Sequence, residues 1–329
     1  MLYLGLEVWY ECRQKSEKVT IYPSQSYFCF DITVPTSPTL CRTVSISNLL
    51  TAKHSMRCTK GVETCKTRED DVIVVAYPKS GTHWVWEMVR LLQAGTTDVP
   101  LVEKDDGMIE DVVPETLEAL PSPRALNTHA HFELMPQDIL KKKSCKLIYV
   151  TRDPRDVMVS YFNHHRKLTQ YYNYSGQWKD YFPLFLSGKV DYESWFAYTQ
   201  GWEQGMKDNP DLQVHVTSYE ALHENTEEEI KKTAGFLGTS ADKAFLREVM
   251  KKTDFESMRA TKGKNETFEG GAVMYRKGKV GDWKNWFTVA QSEQFDAVFE
   301  QEMKGTKAYE LYSIKKQDFS TPDRNMNEK

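Results

Sequence analysis

Residues 71–84 read DVIVVAYPKSGTHW, and this stretch decides the fold. Asp71 to Tyr77 form a short continuous run rich in β-branched residues, without the apolar/polar alternation of a half-solvated strand, so they read as a strand buried on both faces. Pro78 ends it. Beyond the turn, Trp84, Met88, Leu91 and Leu92 recur at spacings of three and four, the stripe of one helix face, and Gly95 stands where a helix stop belongs. The segment is therefore strand, loop, helix. A lysine, two hydroxyls and a glycine (Lys79, Ser80, Gly81, Thr82) fill the loop, where free backbone N–H groups at a helix start favour an anion.

The same alternation recurs downstream. KLIYVTR at 146–152 is a second buried strand, followed by Asp153 as N-cap, Pro154 at the first helical position and a periodic run through Val157, Tyr161 and His164. LQVHVTSYE at 212–220 is a third strand, ahead of a helical stretch around Glu227 to Phe236. A further helix is expected at Ser292 to Met303. Strands alternating with helices over this length predict a single α/β domain with a mainly parallel central sheet flanked by helices. Ligands of such sheets sit at the carboxyl ends of the strands. The expected organisation is an N-terminal appendage at 1–68 without sustained periodicity and poorly ordered, a domain at 69–312, and a C-terminal tail at 313–329. Residues 259–282 hold five glycines and no helical period, too long for an ordinary connection and so either functional or disordered.

Composition excludes several classes. Of 329 residues 40% are apolar and 27% charged, the range of a soluble globular protein, and a net charge of −4 argues against a nucleic-acid partner. The six cysteines form no C-x-x-C pair and have no histidine at zinc spacing, so no metal site is expected. No stretch of 18 apolar residues occurs, and the N-terminal apolar run is broken by Glu7 without a preceding basic region, so neither a signal peptide nor a membrane partner is expected. With Cys145 alone in the main body, the expectation is a reduced, cytoplasmic protein.

Two further basic segments complete an anion site. Arg152 at a strand end and Ser160 two turns into the next helix can both bond a phosphate; read alone, Arg152 could equally pair with Asp156 at the surface. Arg276-Lys277-Gly278 opens RKGKVGDW at 276–283. No G-x-x-x-x-G-K-[ST] string occurs, which excludes the usual nucleoside triphosphate loop.

The order Tyr77-Pro78-Lys79-Ser80-Gly81-Thr82-His83-Trp84 closely resembles the phosphosulfate loop of the cytosolic sulfotransferases, with His83 in place of a common threonine. Arg152 with Ser160 resembles the family's 3′-phosphate segment, and RKGKVGDW its late R-K-G-x-x-G-D-W signature. Tyr219, together with Thr253, Phe255 and Met258, matches positions that enclose the adenosine, Asp254 standing for the usual serine. The resemblance covers roughly residues 70–305. It implies transfer of a sulfuryl group from 3′-phosphoadenosine 5′-phosphosulfate (PAPS) to a hydroxyl or amine of a small, apolar acceptor, without a metal. It also implies Lys79 and His129 as catalytic residues, His129 as general base with a pKa near neutrality, and Asn127, Thr128 and His129 at the acceptor. His131 is the competing base. Asn127 departs from the family's K-T-H, removing an expected positive charge that a protonated His83 would partly restore. A nucleotide-binding relative without turnover is the rival reading. Lys284 to Glu293 fits the family's short K-x-x-x-T-V-x-x-x-E motif and implies a weak homodimer.

Overall fold

The computed structural model describes residues 7–12, 15–20, 62, 65–142, 145–168, 172, 174–239, 242–262 and 275–313. Most of the 1–68 segment, the loop interior at 263–274 and the tail from 314 lie outside the described residues, as do the expectations made for their order. The chain divides into two units, 1–44 and 45–329. In the first, β1 (Glu7–Cys12) and β2 (Lys15–Thr20) form an antiparallel hairpin with Trp9 opposite Lys18 and Cys12 opposite Lys15. This was not anticipated from periodicity. The β-branched and aromatic residues Val8, Trp9, Tyr10, Val19 and Thr20 supply the strand preference.

In the second unit, β3 (Val72–Ala76), β4 (Ala125–Thr128), β5 (Lys146–Thr151) and β6 (Val214–Ser218) make one sheet in the order β4-β3-β5-β6, every pairing parallel. The helices are α1 (Thr82–Ala94), α2 (Pro114–Ala119), α3 (Gln137–Lys142), α4 (Pro154–Lys167), α5 (Trp178–Leu186) and α6 (Trp195–Asp208), then α7 (Tyr219–Glu224), α8 (Thr226–Leu237), α9 (Lys243–Lys252), α10 (Phe255–Thr261), α11 (Val289–Met303) and α12 (Lys307–Tyr312).

Central strand β3 explains its own sequence. Ile73, Val75 and Tyr77 enter one core with Val157, Tyr161, Trp195, Trp202 and Phe299, while Val72, Val74 and Ala76 enter the other with Val85, Met88, Leu92, Ile230 and Val249. A strand covered on both sides has no position left for a polar residue, which is why the run is continuous. Each fully buried Val or Ile side chain contributes about 1.5–3 kcal/mol of transfer free energy. Val62 and Cys65, from the segment expected as appendage, are buried in the first core.

Strand β4 was not read as a strand from sequence. It is short, and Asn127 interrupts its apolar pattern; backbone pairing of Val74 with Asn127 and Val75 with Thr128 builds it. Arg124, just ahead of it, forks onto buried Asp71 through Nε to Oδ1 at 2.7 Å and Nη2 to Oδ2, tying the strand start to β3. Helix α11 begins at Val289, not at Ser292. Thr288 Oγ1 accepts from Gln291 N and the Gln291 side chain accepts from Thr288 N, a reciprocal cap that starts the helix three residues sooner.

Because all four strands run the same way, their carboxyl ends share one edge. The residues that leave this edge are Tyr77 after β3, His129 after β4, Arg152 after β5 and Tyr219 after β6.

Candidate active site

The loop after β3 is held in a conformation that ordinary residues avoid. Lys79 has φ +70° and Gly81 φ +107°. Ser80 N donates to Tyr77 O at 3.2 Å, and Trp84 and Val85 N both donate to Gly81 O, closing the turn onto α1. A Cβ at Gly81 would lie 2.9 Å from Tyr219 Cδ2, so both the dihedral and the close approach require glycine. Within this turn Ser80 Oγ and Thr82 Oγ1 are buried and take no hydrogen-bond partner. Buried hydroxyls without partners are costly. Two of them at the N-terminus of a thirteen-residue helix form a cradle suited to an oxyanion.

Arg152 joins the remaining segments. Its Nη1 donates to Lys79 O at 2.9 Å, its Nη2 donates to Lys279 O at 3.4 Å, and its guanidinium lies 3.9 Å over the Tyr219 ring. Its Nε is buried without a partner. Arg152 does pair with Asp156, but as a long, buried contact and not a surface one: Nη2 is 4.0 Å from Asp156 Oδ2. Asp156 also accepts from Gly281 N at 2.6 Å and Trp283 N at 2.9 Å. Burial raises its carboxyl despite Arg152 and those two N–H groups. Arg155, forked onto Asp153, covers the Trp283 ring at 4.5 Å. The start of α4 and the 276–283 segment are thus fastened together.

Arg276 Nη2 and Lys277 Nζ both donate to Asp282 at 2.7 Å. Burial alone would lift the Asp282 carboxyl, but these two bonds and one from Asn285 outweigh it and hold the group well below its ordinary range. At Gly278, φ +61°, a Cβ would fall 2.2 Å from Phe255 Cδ2, so the backbone lies against that ring. Trp84 and Tyr219 meet edge to face at 5.8 Å. Met258 and Thr253 are buried, the Thr253 hydroxyl donating to Val249 O at 2.9 Å, and Ser160 is half-buried on α4. Asp254 caps α10 by accepting from Ser257 N at 2.8 Å, which a serine could also do. Lys79, Ser80, Gly81, Thr82, Arg152 and Tyr219 therefore meet, while Arg276, Lys277 and Gly278 are joined to them through Arg152 and Asp156.

At the neighbouring strand end His129 Nδ1 lies 2.6 Å from Ala76 O. A carbonyl only accepts, so Nδ1 carries the hydrogen and Nε2 holds the lone pair. Glu110 Oε1 accepts from His129 N at 2.7 Å, and the Tyr192 ring stands edge-on at 5.3 Å. The expected near-neutral pKa is overturned. Burial pushes the imidazole down to about 3, and Lys104, His83 and Lys79 act in the same direction against the bond to Ala76. His131 is tethered elsewhere, its Nε2–H donating to Tyr192 O at 3.1 Å. Lys79 Nζ is 3.2 Å from His164 Nδ1, and burial with the Lys79 charge keeps that imidazole well below its usual range.

Glu110, Lys104 and His164 were missed by sequence reasoning, since no local pattern separates them from ordinary charged or polar positions. Burial lifts the Glu110 carboxyl to about 7, against bonds from His129 N and Thr128 that lower it. A raised carboxyl loses stability as pH climbs from its unfolded value near 4.5 through 7. Glu110→Gln, neutral throughout, should therefore gain on the wild type over that window by about 3 kcal/mol, levelling above pH 7. Urea unfolding at pH 4.5, 6 and 8 measures it, and a constant difference refutes it.

A family model described as "Sulfotransferase domain" matches residues 69–307. The chain is 36% identical to Sulfotransferase 1B1 of Mus musculus over 263 residues, covering 74% of this chain and 86% of that protein. It is 34% identical to Sulfotransferase 1C2 of Homo sapiens over 262 residues, covering 74% and 87%. Among solved structures, mouse sulfotransferase SULT7A1 complexed with PAP is similar with a TM-score of 0.66 at 30% identity, covering 79% of this chain and 94% of that one.

Proposed function

The chain belongs to the sulfotransferase family, and from that premise we propose that it moves the sulfuryl group of PAPS to a hydroxyl or amine of a small, apolar acceptor, with His129 as general base. The observation that carries this reading is the His129 tautomer: with Nδ1–H spent on Ala76 O, the lone pair at Nε2 is the one left to take a proton. The similar SULT7A1 structure is complexed with PAP, which supports the choice of donor.

The residues fit such a donor. The unpartnered hydroxyls of Ser80 and Thr82 suit the oxygens of a phosphosulfate, and Arg152, Ser160, Arg276, Lys277 and Gly278 suit a second phosphate. Trp84, Tyr219, Thr253, Phe255 and Met258 would enclose the base. When bound, the donor supplies the sulfuryl group and a phosphate as leaving group. Lys79 adds positive charge at the loop, and His129 takes the acceptor's proton at Nε2 as the acceptor attacks. The imidazole climbs back towards its ordinary range when negative charge enters beside Lys104, His83 and Lys79. Tyr192 edge-on to His129 gives an aromatic wall for an apolar acceptor, with Asn127 and Thr128 on the same strand.

Among the described residues no helix is long and apolar enough to cross a membrane. Cys65 and Cys145 are buried free thiols, each pushed up to about 11 chiefly by burial, and so poorly reactive; a cytoplasmic setting is part of the reading. Pairing of two copies through Lys284 to Glu293 is part of the reading: Val289 in that segment is 78% exposed, and sedimentation of the whole chain at rising concentration tests it, a constant monomer being the adverse result.

Transfer of labelled sulfate from PAPS to a panel of phenols, steroids and amines tests the function. Product dependent on both Lys79 and His129 supports it. Donor binding without turnover across the panel would replace it with the non-catalytic relative.

A further inference from the structure

Lys104 opens a one-turn 3-10 helix at Lys104–Gly107, far from β4 in sequence, yet its side chain reaches the site. The residue is only 5% exposed. Its Nζ donates to Asn127 Oδ1 at 3.0 Å and lies 3.7 Å from Met108 Sδ, while Asn127 Nδ2 donates back to Lys104 O at 2.8 Å. Both ends of the Asn127 amide are therefore committed to holding one lysine. Its carboxylate partner is Asp105 at 2.8 Å, 68% exposed, whose carboxyl the Lys104 charge and hydrogen bond hold below its ordinary value against desolvation. The three donors of the ammonium are thus all taken, yet removing an ammonium from water is costly even when it is paired, and its retention beside the site points to use.

The placement says what use. His129 follows Asn127 by two residues, just past the end of β4, so the amide that holds Lys104 stands next to the strand end that carries the imidazole. After burial, Lys104 is the largest influence lowering the His129 basicity. The charged and titratable groups facing His129 are Lys104 and Asp105 from the 3-10 turn, Glu110 beneath its N–H, Lys79 and His83 from the phosphate loop and α1, and His164 from α4.

We infer that Lys104, steadied by Asn127, is the cation beside His129 that neutralises the charge developing during transfer, so that the positive charge absent at position 127 arrives from position 104. This rests on the sulfotransferase reading with His129 as base. Electrostatic stabilisation of this kind is worth about a hundredfold to a thousandfold in kcat per donor. Asn127 is a positioning residue: it touches Lys104, not the reacting atoms.

Lys104→Met keeps the length of the stem and removes the charge. Three results are expected. The kcat falls about a hundredfold with KM for the donor little changed. The acid limb of the kcat/KM profile moves to higher pH, because a base relieved of a neighbouring cation protonates sooner. NMR titration of the His129 imidazole in the substrate-free variant shows the same upward move. The double variant Lys104→Met/Asn127→Lys, which returns a cation to the same strand end, should recover most of the kcat. Unchanged kcat in Lys104→Met overturns the proposal, as does a loss accompanied by an unmoved imidazole and no recovery in the double variant, the signature of a packing role alone. A wild type without turnover on any acceptor defeats the underlying reading instead, and is told apart because failure of Lys104 alone leaves the wild-type rate intact.

Discussion

His129→Gln is expected to lower kcat about a thousandfold at pH 7, in the middle of the range that a positioned general base supplies, while PAPS affinity stays within about threefold because the nucleotide segments are untouched. The acceptor makes the result diagnostic. An alcohol or unionised phenol needs its proton removed as it attacks, whereas a phenol already ionised at the assay pH does not, so the deficit should shrink steeply along a series of increasingly acidic phenols. A uniform loss across that series would mean that the imidazole orients rather than deprotonates. Folding gives an internal control with a definite sign. The wild-type imidazole sits at about 3 against an ordinary 6.5, so the unfolded chain binds the proton first and the wild type loses stability as pH falls from 6.5 towards 3. The variant lacks this loss and should overtake the wild type in acid, by denaturant midpoint, even though it barely turns over.

Two of the four parallel strands were legible because burial on both faces leaves its mark on composition, as continuous apolar runs at 72–76 and 147–150; β6, with Val216 48% exposed, was legible instead from its alternation and β-branched residues. Strand β4 was not, since Ala125–Thr128 owes its state to pairing with β3 rather than to its own side chains. The nucleotide segments were legible for a related reason. Each lies next to the end of an element, where the backbone conformation it needs restricts the residue type, as Gly81 against Tyr219 and Gly278 against Phe255 do.

Lys104 and Glu110 were illegible. Glu103-Lys104-Asp105-Asp106-Gly107 reads as a solvated turn, and only the three-dimensional path of that turn buries the lysine. The same limit produced the wrong expectation for His129: a motif can name a base, but its basicity is set by desolvation and by cations that arrive from elsewhere in the chain. Asp254 shows the opposite case, a departure from the family pattern that keeps the local function, since aspartate caps a helix as well as serine does.

Arg152→Lys should weaken PAP binding about a hundredfold while leaving the rate at saturating donor within about threefold. The charge survives this change, so its size measures what only a guanidinium provides. Two forked donors reach Lys79 O and Lys279 O from a plane resting on Tyr219 at 3.9 Å, and the lysine stem can satisfy one such carbonyl at most and lies poorly over the ring. The donor left for a ligand phosphate is the unpartnered Nε, which lysine lacks; a hydrogen bond from a charged donor contributes about 1.5–3 kcal/mol, so its loss, with the looser loop geometry, corresponds to about a hundredfold in affinity. The effect falls on binding because Arg152 links the phosphate loop to the 276–283 segment without contacting His129. Calorimetry with PAP gives the affinity and saturation kinetics give the rate. If affinity is retained, the clamp is carried by Arg276 and Lys277, released from Asp282, and Arg152 serves only to shape the loop; if affinity and saturated rate fall together, the Lys79 turn depends on the fork for its own geometry.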